Sequence, residues 1–203
     1  MSSVKDAAFR AGCVILASGE GRRFGGNKLL AELGGRPLLD YVLCATEGLP
    51  FVRRVVVTRR EDVRHYCAER GVEVLLHREP EKSDTIRLGT AALAESGCTH
   101  ALFCMGDQPL VKRESVERLL AAGRGDAEHI FRLAADGVPG APVLFPAGYF
   151  AELGALPKGE SGGYVIRAHR AALRTVEAAA RELWDVDTQE DLRRIEKMLV
   201  EIP

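Results

Sequence analysis

Short apolar runs recur along the first two thirds of the chain, with helix-like patterns between them. Cys13 to Ala17, Val55 to Thr58, Val72 to Leu76 and Ala101 to Met105 are the runs, and each is short enough to be a buried strand. Pro37 suits a first helical position, and Leu38, Leu39, Val42, Leu43 and Ala45 follow at helical spacing before Gly48 and Pro50 close the segment. Glu61 to Arg70 reads as an exposed helix stopped at Gly71. Ser83-Asp84-Thr85 offers N-cap chemistry for a helix to Glu95, and Glu114 to Ala122 is helical.

The rhythm changes after Ala127. Ile130 to Ala134 and Pro142 to Phe145 read as strands around a turn-rich break at 136–140, and Phe150, Leu153 and Leu156 mark a brief helix. A second glycine loop, Lys158 to Gly163, leads into a helix ending at His169, and Leu173 to Val176 is strand-like. Asp185-Val186-Asp187-Thr188 then precedes an amphipathic helix with Leu192, Ile195 and Leu199 on one face. Strand and helix alternating at this spacing predict an α/β fold, with a mostly parallel sheet covered by helices on both faces. At 203 residues the chain is expected to form one domain, 1–203, with residues 1–11 as a loose N-terminal tail.

Composition narrows the function more than the fold. A net charge of −1 gives no reason to expect a nucleic-acid or membrane surface, and no apolar run approaches the roughly 20 residues that span a bilayer. The first dozen residues lack the apolar segment of a secretory signal. Five cysteines, an odd number with no C-x-x-C pair, read as reduced, buried thiols of a cytoplasmic protein. The five histidines show no ligand spacing and read as surface or satisfied core residues.

The chemistry concentrates where the first strand ends. Leu16-Ala17-Ser18-Gly19-Glu20-Gly21-Arg22-Arg23-Phe24-Gly25-Gly26-Asn27-Lys28 carries four glycines and three basic residues. Glycines let backbone N–H groups turn toward a phosphate without side chains in the way. Ligands of open parallel sheets bind beyond the carboxyl ends of the strands. That rule adds Asp107, after the fourth run, and Asp187, before the last helix, as a carboxylate pair suited to Mg²⁺ on a nucleotide. Taken alone, Asp107 equally fits a turn before Pro109 and Asp187 an N-cap. The loop is neither a Walker sequence nor a dinucleotide fingerprint, because Phe24 stands at the third glycine position.

Five blocks in order then resemble the MobA-like NTP transferase family. Leu16-Ala17-Ser18-Gly19-x-Gly21-x-Arg23-Phe24-Gly25-x-x-Lys28 is similar to its phosphate-loop signature, and Ser83-x-Thr85-Ile86-Arg87-x-Gly89 to its next segment. Gly106-Asp107-Gln108-Pro109, Gly140-x-Pro142-Val143-Leu144-Phe145 and Asp185-Val186-Asp187-Thr188-x-x-Asp191 follow. The third and fifth blocks are most like molybdopterin cytidylyltransferases. The resemblance implies a three-layer α/β/α Rossmann-like fold and transfer of CMP from CTP to the terminal phosphate of the molybdenum-bound pterin, with release of pyrophosphate. The product would be the dinucleotide cofactor of molybdenum hydroxylases, so a hydroxylase or its maturation factor is the protein partner to expect.

It also implies roles. Leu16, Ala17, Ser18, Gly19, Gly21, Arg23, Lys28, Ser83, Thr85 and Gly89 would bind nucleotide. Arg23, Lys28 and Asp107 would be catalytic, and Asp107 and Asp187 would hold Mg²⁺. Ser83 and Thr85 fit base or ribose contacts and helix capping equally well. Arg87 fits an acceptor contact or a solvated helix face. Glu160, Ser161 and Gly162 fall in the loop expected to face the acceptor. Two positions depart from the family: Ser18 stands where alanine or glycine is usual, and Gly159 to Tyr164 replaces Gly-Asp-x-Gly-Ala-Arg. A GTP-using or other-acceptor enzyme of the family, or a non-catalytic cofactor-delivery protein, are the rival readings.

Overall fold

A computed structural model describes residues 8–19 and 21–200, without the side chain of residue 200. The elements in order are β1 (Ala11–Leu16), a small hairpin of β2 (Glu32–Leu33) and β3 (Arg36–Pro37), α1 (Leu38–Thr46), β4 (Arg54–Thr58), α2 (Glu61–Glu69), β5 (Glu73–Leu76), α3 (Lys82–Glu95), β6 (His100–Met105) and α4 (Arg113–Arg124). β7 (Ile130–Ala135), β8 (Val138–Pro146), α5 (Phe150–Gly154), α6 (Gly162–Ala168), β9 (Leu173–Glu177) and α7 (Gln189–Val200) complete the chain. The main sheet has seven strands in the order β5-β4-β1-β6-β8-β7-β9. Only β8 runs against the others, pairing antiparallel with β6 and β7.

Side chains alternate across the sheet, and each set meets its own helices. Cys13 and Ile15 of β1 join α1, α2 and α4 in one buried cluster. Val14, one residue between them, joins Val55 and Val57 with α3, α5 and α6 in the other. The result is a three-layer α/β/α Rossmann-like protein, as the alternation predicted. A third cluster lies apart from both: Phe24 of the glycine loop, Leu33 and Leu38 of the hairpin region, and Val186, Leu192 and Ile195 of the last segment. This small core ties the glycine loop to the N-terminal end of α7.

Several expectations need correction. The stretch expected to be a loose tail includes residues that are built in: Ala11 is fully buried in β1, Arg10 donates to the Gly97 and Ser96 carbonyls, and Phe9 stacks on His100. Residues 1–7 lie outside the described part. The break at 136–140 is the tip of a β7–β8 hairpin, with β8 starting at Val138. Pro37 sits at the N-cap of α1, one residue before the helix. Four cysteines are buried as expected, but Cys44 is exposed, on the outer face of α1. Among the described residues no helix is long and apolar enough to cross a membrane.

Candidate active site

The carboxyl edge of the sheet brings together residues that are far apart in sequence. Ala17 is consumed by the sheet itself: its N–H donates to Val57 at 2.9 Å and its carbonyl accepts from Thr58 Oγ1 at 2.8 Å. The Leu16 carbonyl accepts from Gly106 N–H at 3.0 Å. Leu16 and Ala17 therefore anchor the loop, and Ser18 and Gly19 are the first residues past the ladder. Gly21 then turns the chain with φ +63°, accepting from the N–H groups of Phe24 and Gly25. A Cβ at Gly21 would lie 2.4 Å from the Gly26 carbonyl oxygen, so the turn requires glycine twice over.

At the loop's end Lys28 points into a carboxylate pair. Its Nζ lies 2.6 Å from Asp107 Oδ2 and 3.1 Å from Asp187 Oδ1, with only 8% of the side chain exposed. Burial by itself depresses a lysine, but the charge and hydrogen bond of Asp107, followed by those of Asp187, outweigh it. The ammonium is held above its ordinary pKa. Arg23, largely exposed, pairs with the other Asp187 oxygen at 2.8 Å. Asp185 keeps much of its surface accessible. Yet the protein atoms around it, and then the negative charge of Asp107, raise its carboxyl above the usual range.

The ordinary explanations for the two aspartates are used up by other groups. The cap of α7 is Thr188, whose Oγ1 accepts from Asp191 N–H, while Asp191 Oδ2 accepts in return from Thr188 Oγ1 and from the N–H groups of Asp187 and Thr188. Asp187 is thus not the cap and turns its carboxylate to Lys28. Asp107 binds the segment through its backbone, its carbonyl accepting from Val186 N–H at 2.9 Å. Its Oδ1 is buried with no hydrogen-bond partner. A buried lone carboxylate oxygen beside a second carboxylate fits a hard cation that keeps phosphate and water oxygens in its remaining positions. Among the described residues no group of three His, Cys, Asp or Glu side chains is arranged for a metal.

Sequence reasoning missed what holds this pair in place. Glu182, 3% exposed, accepts from Lys112 N–H at 3.0 Å and Ala179 N–H at 3.2 Å, and Gln108 Nε2 donates to the Leu183 carbonyl. These bonds clamp the strap before Asp187 onto the loop after β6. A buried glutamate accepting two backbone N–H groups leaves no periodicity or motif by which to find it.

Other predicted residues make contacts within the protein. Ser83 and Thr85 are buried in the first turn of α3, whose cap is Glu81 in a reciprocal box with Asp84, so the capping reading of this pair is corrected. Gly89 is a packing glycine, since a Cβ there would stand 2.7 Å from Val14 Cγ1. Arg87 is a strut: its Nη atoms bind Asp84, Ser83 and the Leu156 carbonyl. Glu160 pairs with Arg167, Ser161 caps α6 by accepting from Gly163 N–H, and Gly162 packs beside the Phe145 ring. Among the described residues no hydrogen bond or ion pair joins this loop to the Lys28 group. His77, read as unremarkable in sequence, is buried between Ser18 and Thr85.

A glycine loop at the carboxyl edge of a Rossmann-like sheet thus ends in a lysine between two converging carboxylates. The chain belongs to the MobA-like NTP transferase family, whose model matches residues 13–176. The bifunctional protein GlmU of Rhizorhabdus wittichii is 35% identical over 119 residues, 56% of this chain and 26% of GlmU. The chain thus spans about a quarter of the length of this curated relative. A crystal structure of an Rv0371c homologue from Mycobacterium sp. strain JC1 superimposes with TM-score 0.80 at 26% identity, covering 96% of this chain and 98% of that one. Molybdopterin-guanine dinucleotide biosynthesis protein A from Archaeoglobus fulgidus shares the fold, with TM-score 0.71 at 21% identity over 94% of this chain and all of that one.

Proposed function

We propose that this protein is a divalent-metal-dependent nucleotidyltransferase acting as one cytoplasmic domain. Its favoured reaction is transfer of CMP from CTP to the terminal phosphate of a molybdopterin-type acceptor. The observation that carries the reading is Lys28 held between Asp107 and Asp187 at the mouth of the glycine loop. In the reaction an acceptor phosphate oxygen forms a bond to the α-phosphorus. The bond from that phosphorus to the β-phosphate bridge breaks, and pyrophosphate leaves.

The chain's part is positioning and charge. Amides from Ser18 onward face the triphosphate, and Gly21 keeps the turn open. Lys28 and Arg23 balance the charge that grows on the α-phosphate and the leaving pyrophosphate. Asp107 and Asp187 are the residues that would hold Mg²⁺, which when bound supplies charge neutralisation between the two reacting groups. The CTP preference and the pterin acceptor rest on the likeness of the Gly106-Asp107-Gln108-Pro109 and Asp185-Val186-Asp187-Thr188 blocks to cytidylyltransferases. Under this reading a molybdenum hydroxylase or its maturation factor would be the recipient of the product.

The deciding experiment is metal-dependent pyrophosphate release with CTP against GTP, with and without molybdopterin, and with phosphorylated alcohols and sugars as other acceptors. Release that requires CTP and molybdopterin together supports the reading. Release with GTP or another acceptor moves it within the family. Tight pterin binding without turnover replaces it with a delivery role.

A further inference from the structure

His77 follows β5 directly, and its N–H donates to the Thr58 carbonyl at 3.1 Å, extending the β4–β5 pairing by one residue. Its side chain is 5% exposed. Nε2 lies 3.0 Å from Ser18 Oγ and 3.2 Å from Thr85 Oγ1, so one ring atom touches the glycine loop and the first turn of α3. Ser18 Oγ is also 3.2 Å from the Val57 carbonyl oxygen. A carbonyl only accepts, so with the single Ser18 proton given to Val57 the imidazole donates to Ser18, its one Nε2–H being shared between Ser18 Oγ and Thr85 Oγ1. That assigns the Nε2–H tautomer by the logic of the network.

The assignment also explains a buried orphan. Nδ1 has no hydrogen-bond partner, and the nearest carboxylate oxygen, on Glu79, is 3.7 Å away. In this tautomer the orphan is a lone pair, which costs less to leave unpaired than an N–H. Burial keeps the imidazole neutral by holding its pKa below the ordinary histidine value. Arg59 acts in the same sense, against Glu79 and Asp84.

The loop needs such an anchor. A Cβ built on Gly19 meets nothing within 4 Å, so no neighbouring atom packs over that side of the residue. Ser18 is also the residue by which this chain departs from the alanine or glycine of the family pattern. The hydroxyl and the histidine form a matched pair.

We propose that His77 is a positioning residue of the nucleotide site: by donating to Ser18 it holds the start of the glycine loop against β4, fixing the direction of the Ser18 and Gly19 amides. The inference rests on the reading of that loop as the triphosphate cradle. The test is calorimetric binding of CTP with Mg²⁺ to the full chain without acceptor, for wild type, His77→Ala, His77→Gln, Ser18→Ala and the Ala/Ala double variant. His77→Ala weakens CTP about tenfold while turnover at saturating CTP falls less than threefold, because the lost element is loop order before binding. Ser18→Ala weakens binding, the double variant is no weaker than His77→Ala, and His77→Gln, whose amide nitrogen can replace Nε2–H, stays within about threefold of wild type.

Unchanged CTP affinity in His77→Ala, or losses that add in the double variant, overturn the proposal. If His77→Ala does not fold, Ser18→Ala decides, and normal CTP affinity in that variant overturns it. A wild-type chain that binds no nucleoside triphosphate overturns the cradle reading beneath it.

Discussion

Lys28→Met is the most informative single change, because it separates the ion cluster's stability from its chemistry. Methionine keeps the aliphatic bulk and removes the ammonium that lies 2.6 Å from Asp107 and 3.1 Å from Asp187. Removing one partner of a fully buried pair costs about 3–5 kcal/mol, since the other charge is left desolvated. Here the cost is smaller: the Asp187 side chain is 36% exposed and keeps Arg23, while Asp107, at 15%, is the one left stranded. About 2 kcal/mol is expected, or a fall of roughly 4–8 °C in the midpoint for a domain of this size.

The ammonium occupies one oxygen of each carboxylate, Asp107 Oδ2 and Asp187 Oδ1, so the variant frees two more oxygens beside Asp107 Oδ1 for a divalent cation. Tenfold tighter metal binding would return about 1.4 kcal/mol at saturating Mn²⁺, more than wild type recovers. Turnover with CTP nonetheless drops by about two to three powers of ten, because transition-state charge loses its counterion. Thermal unfolding with and without Mn²⁺, beside pyrophosphate release, reads all three. Lys28 is held above its ordinary pKa in the fold, so its contribution is complete below the unfolded value. It is lost only as pH rises through the folded one, in the alkaline range. The deficit of the variant is therefore flat across neutral pH. A metal-free midpoint equal to wild type, or equal Mn²⁺ shifts in both proteins, would refute the reasoning.

Three further outcomes follow from the geometry. Gly21→Ala forces a methyl onto the Gly26 carbonyl at a positive φ, so CTP binding weakens at least tenfold by calorimetry. Its melting midpoint stays within a few degrees, since Gly21 is outside the buried clusters. Glu182→Ala strips two backbone N–H groups of their buried acceptor and costs about 2–3 kcal/mol by chemical denaturation. It also weakens Mn²⁺ binding by loosening the strap that carries Asp187; unchanged metal affinity would show that Asp187 holds its place without the clamp. His100 is buried with Nε2 unpartnered, and burial pushes its pKa below the ordinary value. Stability is then full above the unfolded pKa and lost as pH falls through the folded one, so His100→Gln loses less melting midpoint between pH 7.5 and 5 than wild type.

What could be read from the chain followed from local rules. Apolar runs marked β1, β4 and β6 because strands covered on both faces admit little else, and a shorter run marked the half-buried edge strand β5. Glycines and basic residues after the first run marked the loop, and Asp107 and Asp187 stood at strand and helix ends where ligands bind. These features are contiguous, and their chemistry shows in their spacing.

Other features depended on contacts between distant segments. The β7–β8 hairpin turned one strand antiparallel through a pairing no periodicity encodes. Phe24 looked like a spoiled glycine position and proved to be the anchor of a third core that draws α7 to the loop. His77 and Glu182 were single polar residues in unmarked stretches, and they acquired roles only when Ser18, Thr85, Lys112 and Ala179 came within hydrogen-bond reach. Arg87 and Gly89 sat inside a recognisable block, yet folding spent them on a strut and a helix contact. The sequence by itself determined the layers and marked the glycine loop and the two aspartates as candidates. Only the tertiary structure decided that Lys28 stands between those acids and that His77 lies against Ser18, because burial and short polar distances exist only once segments 59 to 159 residues apart are packed together.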